Sequence, residues 1–321
     1  MYDARRRFLL AAAGAVVAGA TPALLHAQLR RVAIGANPAG TNFNVIAGGF
    51  AKVIQQKLGI ASIVRPYSGS SVYLPMLQRG EITLGINSGI DSYLAYNGEP
   101  PYPAPMTNLR ALMAVYPLGY MFWVRADGPI RRLEDLEGRR VVLNYRGLVP
   151  LDRLNRAVLA TAGLTESDVE PVTAAGLPEG ARLVAEGRAE AVAMGYRLPL
   201  VLQTHATLPR GLRFLSLGAD EGKVAEIMPG AWADTVTPSA TTVGIEAPAR
   251  FAMYDTYLNG GVHLADEDAY RITKVLYESW PELQRDYALL REVDRAKVAP
   301  STNPHPYHAG AAAFLEEIGL K

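Results

Sequence analysis

RVAIGANPAGTNFNVIAGGFAKVIQQKL, residues 31–58, decides how the rest of the chain is read. Residues 31–35 are a short β-prone run that ends in Gly35, and 36–42 are rich in turn formers. Phe43, Ile46, Ala47, Phe50, Ala51, Ile54 and Leu58 then recur at helical spacing. The unit is strand, polar loop, helix. It returns at once, with a strand over 60–65, a loop over 67–71, a short helix over 72–79, a strand over 81–86 and a loop over 87–89. Repetition of this unit predicts an open, mostly parallel α/β sheet. Such sheets bind ligands where strand ends meet helix starts. Asn37, Thr41, Asn42, Ser68, Gly69, Ser70, Asn87 and Ser88 stand in those loops and can hydrogen-bond a small polar ligand.

The plan continues further along. We expect a strand over 120–125, a helical turn over 129–138, a strand over 139–144 and a loop over 145–150. A helix over 152–162 stops at Gly163, another over 180–186 stops at Gly187, and a strand covers 189–194. These form a second α/β lobe. Proline-rich stretches at 100–105 and near Pro229 and Pro238 are too short to be flexible linkers. There is no low-complexity tract.

The front of the chain has another character. Arg5, Arg6 and Arg7 precede an apolar stretch over 8–25, and small Ala27 precedes the expected cut. That is the pattern of a cleavable signal peptide over 1–27, interrupted by Pro22 and short of a spanning helix. Three consecutive arginines suit either the twin-arginine or the general export route. About 290 residues remain, enough for one large or two medium domains. With 49% hydrophobic and 20% charged residues the chain can bury a sizeable core without disulfides, and it has no cysteine. A net charge of +1 argues against nucleic acid and membrane surfaces as partners.

Six segments, in this order and spacing, carry a resemblance to a known family: VAIGANPAGTNFNVIAGGFAKVI (32–54), VRPYSGSSVYLPMLQRGEITLGI (64–86), AYNG (95–98), RRLEDLEGRRVVL (131–143), AGLTESDVEPV (162–172) and HPYHAGAAAFLEEIGL (305–320). Together they resemble the TAXI family of TRAP-transporter solute receptors, over nearly the whole mature chain. The resemblance implies a two-lobed periplasmic binding protein fold, type II-like, with two open α/β lobes joined by hinge strands. It implies lobe one over 28–115 and 250–321, and lobe two with the hinge strands over 116–249. It also implies a monomeric receptor, carrying no cofactor, that takes a small organic anion of the carboxylate class to a membrane permease from the periplasm.

The departures bear on the ligand. The family's lobe-two loop is made of small residues whose N–H groups suit a carboxylate. Here the same place reads Arg146-Gly147-Leu148-Val149-Pro150-Leu151, and Pro150 has no N–H to offer. Arg146, or Arg197 at the next strand end, is expected to replace that nest with a guanidinium. Tyr67, Tyr73, Tyr145, Tyr196 and Trp232 are candidate aromatic walls.

Catalytic readings are weaker. His305 and His308 are three apart with Pro306 between them, and no further ligand stands near, so no metal site is expected. There is no thiol nucleophile, Gly-x-Ser-x-Gly elbow or phosphate-loop lysine. The loop at Gly35 lacks the second glycine of a dinucleotide fingerprint. We therefore expect no enzyme. An ABC-type receptor and a ligand-sensing receptor for a sensor kinase remain the alternatives, since they share the fold.

Overall fold

Strand β1 (Arg31–Ala36) ends in the turn at which Thr41 starts helix α1 (Asn42–Leu58). The Thr41 hydroxyl accepts from the Asn44 N–H at 3.4 Å and donates to the Pro38 carbonyl at 2.7 Å, and Gly59 ends the helix at φ 69°. Phe43, Ile46, Ala47, Phe50 and Ile54 form its buried stripe. The unit recurs as β2 (Ala61–Pro66) with α2 (Ser70–Gln78), and as β3 (Leu84–Ser88) with α3 (Gly89–Asn97). Both β2 and β3 lie parallel to β1. The computed structural model describes residues 29–239, 241–291, 293–300 and 303–321, so the export segment read over 1–27 lies outside them. No helix of the described residues is long and apolar enough to cross a membrane.

Two strands far longer than the usual 3–10 residues tie the molecule together. One is β4 (Leu109–Arg125). The other returns late in the chain, after the second set of units: β5 (Arg140–Tyr145), α4 (Val149–Ala160), β6 (Glu170–Ala174), α5 (Leu177–Ala185), β7 (Ala191–Gly195), α6 (Pro199–Thr207), β8 (Leu212–Phe214), α7 (Gly222–Ile227) and β9 (Ala231–Val236). That returning strand is β10 (Ala249–Gly261). It runs antiparallel to β4, with Tyr254 opposite Leu118, and antiparallel to β3, with Leu258 opposite Ile86. On its other edge β4 pairs with β7, Met121 opposite Met194. The sheet order is β2-β1-β3-β10-β4-β7-β5-β6, with β8 on β4 and β9 on β10. Helices α8 (Asp266–Glu278), α9 (Trp280–Asp286) and α10 (Ala309–Glu317) complete the first half.

Each half buries its own apolar layer. Ile34, Phe50, Leu84 and Ile86 do so in the first, and Met121, Phe122, Trp123, Val142 and Met194 around the second. A side chain of this size stabilises the fold by about 1.5–3 kcal/mol when fully buried. The strand expected over 120–125 is thus only the last third of β4. Pro117 suppresses the strand signal. It is accommodated at an exposed position opposite Asp255, beside a register shift at Thr256/Tyr257. The helical turn expected over 129–138 shrinks to one 3-10 turn, Leu133–Leu136, because the Asp135 carboxylate takes the Arg131 and Arg132 N–H groups.

Candidate functional site

The starts of six helices, α1 to α6, face one another across the gap between the two halves of the sheet. A cavity lies among them, lined by Thr41 and Asn42, Ser70, Ser88, Leu148, Leu177 and Leu198 at those starts. Asn37, Phe43, Asp91, Leu118, Tyr120, Pro150, Leu151, Gly195 and Tyr254 complete the wall. The space is small, a cavity of about 30 Å³. Each helix start carries the equivalent of about half a positive charge. Among the described residues no lysine or arginine lines the cavity.

The mouth is shut by contact between the halves. A Cβ at Gly69 would stand 1.9 Å from the Gly147 carbonyl oxygen, and one at Gly147 would stand 2.9 Å from Ser68. Only glycine permits that approach. The Leu200 N–H donates to the Gly40 carbonyl at 3.0 Å, and Arg153 pairs with Glu99 at 2.9 Å. Both contacts cross the gap.

Three side-chain atoms on the wall are buried without a hydrogen-bond partner among the described residues: Asn37 Oδ1, Asn42 Nδ2 and Asp91 Oδ2. Their residues are 3%, 3% and 1% exposed. Buried polar groups are nearly always satisfied, so three such atoms on residues of one cavity single it out as the candidate site. The other Asp91 oxygen accepts from the Tyr102 hydroxyl, and the Asp91 N–H caps on Ser88 Oγ at 3.2 Å. Burial pushes the Asp91 carboxyl up to about 6, against the opposing pull of the Ser70 and Tyr102 hydroxyls. Tyr120 donates to Asn155 Oδ1 at 2.9 Å, and burial holds its phenol well above the usual range, as it does that of Tyr254.

Of the residues singled out in the sequence, Asn37, Thr41, Asn42, Ser70 and Ser88 meet at this cavity, and Ser68 and Gly69 stand at its mouth. The others lie elsewhere. Asn87 is buried in a network with Ser92 at 2.6 Å and Asn259 at 2.8 Å. Tyr145 is buried and donates to the Ala193 carbonyl at 3.1 Å. Arg146 is exposed and does not line the cavity. Tyr196 and Arg197 sit where the chain leaves β7, Arg197 at φ 61°. They line a different hollow with Tyr116, Trp232, Asp234 and Asp255. The aromatic wall comes from Phe43, Tyr120 and Tyr254 rather than from the tyrosines expected, and Tyr73 is packed beneath β1 and β3 with its hydroxyl on the Ile86 carbonyl. His305 bonds Asn259 Oδ1 at 2.8 Å, while His308 bonds the Leu264 carbonyl at 2.9 Å and caps α10. Among the described residues no group of three or more His, Asp or Glu is placed to hold a metal.

Asp91 was missed by sequence reasoning. Its signal is Ser88-Gly89-Ile90-Asp91, which reads as an ordinary helix cap. Tyr120 and Tyr254 were missed because a strand tyrosine facing a cavity looks, in sequence, like one facing the core.

Solved structures give the same architecture. The alkanesulfonate-binding protein SsuA from Xanthomonas axonopodis pv. citri, bound to MOPS, is 16% identical to this chain over 89% of it and 83% of its own length, with a TM-score of 0.50. A structure described as a periplasmic transporter is 15% identical over 90% of this chain and 92% of its own, with a TM-score of 0.58. At such identity the likeness speaks for the fold: a two-lobed α/β periplasmic binding protein fold. The family match is broader in kind, since one family model runs from residue 34 to residue 319, through both halves and both long strands. By that match the chain belongs to the NMT1-like family.

Proposed function

We propose that this chain is a solute receptor. It captures a small organic anion in the cavity between its halves and hands it to a membrane permease. The observation that carries the reading is the trio of unpartnered buried atoms, Asn37 Oδ1, Asn42 Nδ2 and Asp91 Oδ2, on a cavity ringed by six helix starts. Helix starts favour anions without a fixed counter-charge. A site that uses them needs no arginine, and the two arginines expected for that work are not at the cavity. The ligand contacts are assigned to Asn37, Thr41, Asn42, Ser70 and Ser88. The lobes are those with limits 28–115 with 250–321 and 116–249, closing about β4 and β10 as hinges. Export by the signal over 1–27 puts the receptor in the periplasm.

Mass spectrometry of small molecules released from the denatured, freshly purified chain is the direct test, followed by calorimetric titration. An organic acid is expected to be released and to bind. Tighter binding of an uncharged sugar than of any organic acid overturns the anion reading. The resemblance to the TAXI family makes a TRAP-type permease the proposed partner. An ABC-type permease is the second reading, since receptors for both share the fold. Cross-linking of the loaded receptor in membranes, with identification of the captured permease, separates them.

A further inference from the structure

Among the described residues Asp91 is the one ionisable carboxyl on the cavity wall. Its two oxygens have different surroundings. Tyr102, itself only 5% exposed, donates to Oδ1 and fixes the plane of the carboxyl group. The Ser70 hydroxyl on the same wall also draws on this carboxyl, but Oδ2 makes no hydrogen bond of ordinary geometry, in a residue 1% exposed that lines the cavity. Among the described residues no lysine or arginine of the wall neutralises it. A buried acceptor in this state costs free energy until a donor reaches it, and a second negative charge brought against it costs more. The neighbours on the same wall, Asn42 Nδ2 and the starts of α1, α2 and α3, have the opposite preference and attract negative charge. One wall therefore asks for two things of one small molecule: an anionic group at the helix starts and a donor at Asp91.

We propose that Asp91 is a specificity-determining residue: Oδ2 selects organic anions that also carry a hydrogen-bond donor, a hydroxyl or an ammonium, and turns away dicarboxylates. This rests on the reading of the cavity as an organic-anion site and deepens it by naming which anions enter. The raised proton affinity of Asp91 agrees with a carboxyl that lacks a cationic partner in the protein itself. Replacing it by asparagine keeps the shape and an oxygen for Tyr102, while turning the unpartnered atom from acceptor to donor.

The test is calorimetry on the full chain with matched acids of three and of five carbons, each offered as the simple acid, the 2-hydroxy acid, the 2-amino acid and the dicarboxylate. The parent chain is expected to bind the 2-hydroxy or the 2-amino acid at least tenfold more tightly than the simple acid or the dicarboxylate of the same length. The ratio of hydroxy to amino acid tells which donor is used. Asp91→Asn is expected to lose that preference and to gain affinity for the dicarboxylate. Melting curves confirm that the variant is folded. An unchanged ranking in Asp91→Asn, or a dicarboxylate as the parent's best ligand, overturns the role of Asp91 while leaving an organic-anion receptor in place. Failure of every acid to bind either form overturns the anion reading itself, and this proposal with it.

Discussion

The two walls of the cavity are made from the same part, a helix start at a strand end, and they share almost no chemistry. On the first half the starts carry Thr41, Asn42, Ser70, Ser88 and Asp91. On the second they carry Leu148, Pro150, Leu151, Leu177 and Leu198. All three helices of the second wall have a proline in the first turn, which removes one N–H from each start. In the proposed receptor the first wall recognises and the second excludes water. Excluding water strengthens whatever electrostatic contacts the first wall makes. On that proposal the difference also orders events, because a solute has partners on the first half before the second arrives to cover it.

The sharpest way to break this comparison is to stop the second wall from arriving. Gly69→Val places a side chain where Gly147 must sit. Affinity for the best organic acid is expected to fall on the order of 100-fold, about 2.7 kcal/mol, while the melting temperature without ligand stays within a few degrees. Scattering curves should show a chain that no longer contracts on adding ligand, and unchanged affinity would mean that closure is not part of binding.

The first wall is next tested through pH. The Asp91 carboxyl titrates near 6 in the fold instead of its ordinary 3.8. Between about pH 4 and 6 the unfolded chain therefore gives up this proton before the folded chain does, and folding bears the cost of a buried charge. Stability from this group is lost as pH rises through that window and stays lost above it. Asp91→Asn avoids the cost, so the variant should gain on the parent from pH 4 to 6 and hold a constant lead above, on the order of 2–3 kcal/mol. The difference between the two is the readout, because His305, held neutral by burial at about 3, tilts both curves the other way below pH 6.5. A difference that does not vary with pH would show that Asp91 is not desolvated. Asp152, pushed by burial to about 7, persists in both and leaves the same slope toward pH 7.

A paired substitution sharpens the contrast. Leu151→Ala on the second wall should lower stability by about 2 kcal/mol, because it opens a cavity in a packed face, and lower affinity only a few-fold. Asn37→Leu on the first wall should leave stability level or up to about 1 kcal/mol higher, because an orphaned polar group is gone, and lower affinity about tenfold. Denaturant melts and calorimetry on the two variants give all four numbers, and equal behaviour of the pair would erase the distinction between the walls. The smallest effect belongs to the Arg153–Glu99 pair across the mouth. Its side chains are about a third exposed, so Arg153→Ala should change affinity two- to threefold, about 0.5 kcal/mol, and less in high salt.

Most of the strand–helix order was legible because the period changes cleanly along residues 31–89 from β-prone to helical. The polar loops were legible for the same reason, and Asn37, Thr41, Asn42, Ser70 and Ser88 do meet. What failed depended on direction rather than position. Gly195 reaches the cavity while Tyr196 and Arg197, one and two residues on, turn to another face. The second wall could not be read as a wall, since Leu148, Leu151, Leu177 and Leu198 look like core in any one-dimensional pattern. The length of β4 was hidden by Pro117, and Asp91 by its place in a helix cap.

The path of β10 has a consequence for how the chain is assembled. Thr256 lies beside Ser88, and every residue of the second half falls between them in sequence. The first half is split and the second is an insertion within it. β3 therefore lacks its neighbour on one side until the last quarter of the chain has been made, whereas the inserted half has all its own units in hand earlier. Contacts this distant in sequence form slowly, and an unpaired β3 edge is an aggregation risk while it waits. The wall that carries Asn37, Asn42 and Asp91 therefore belongs to a sheet that is incomplete until β10 is in place.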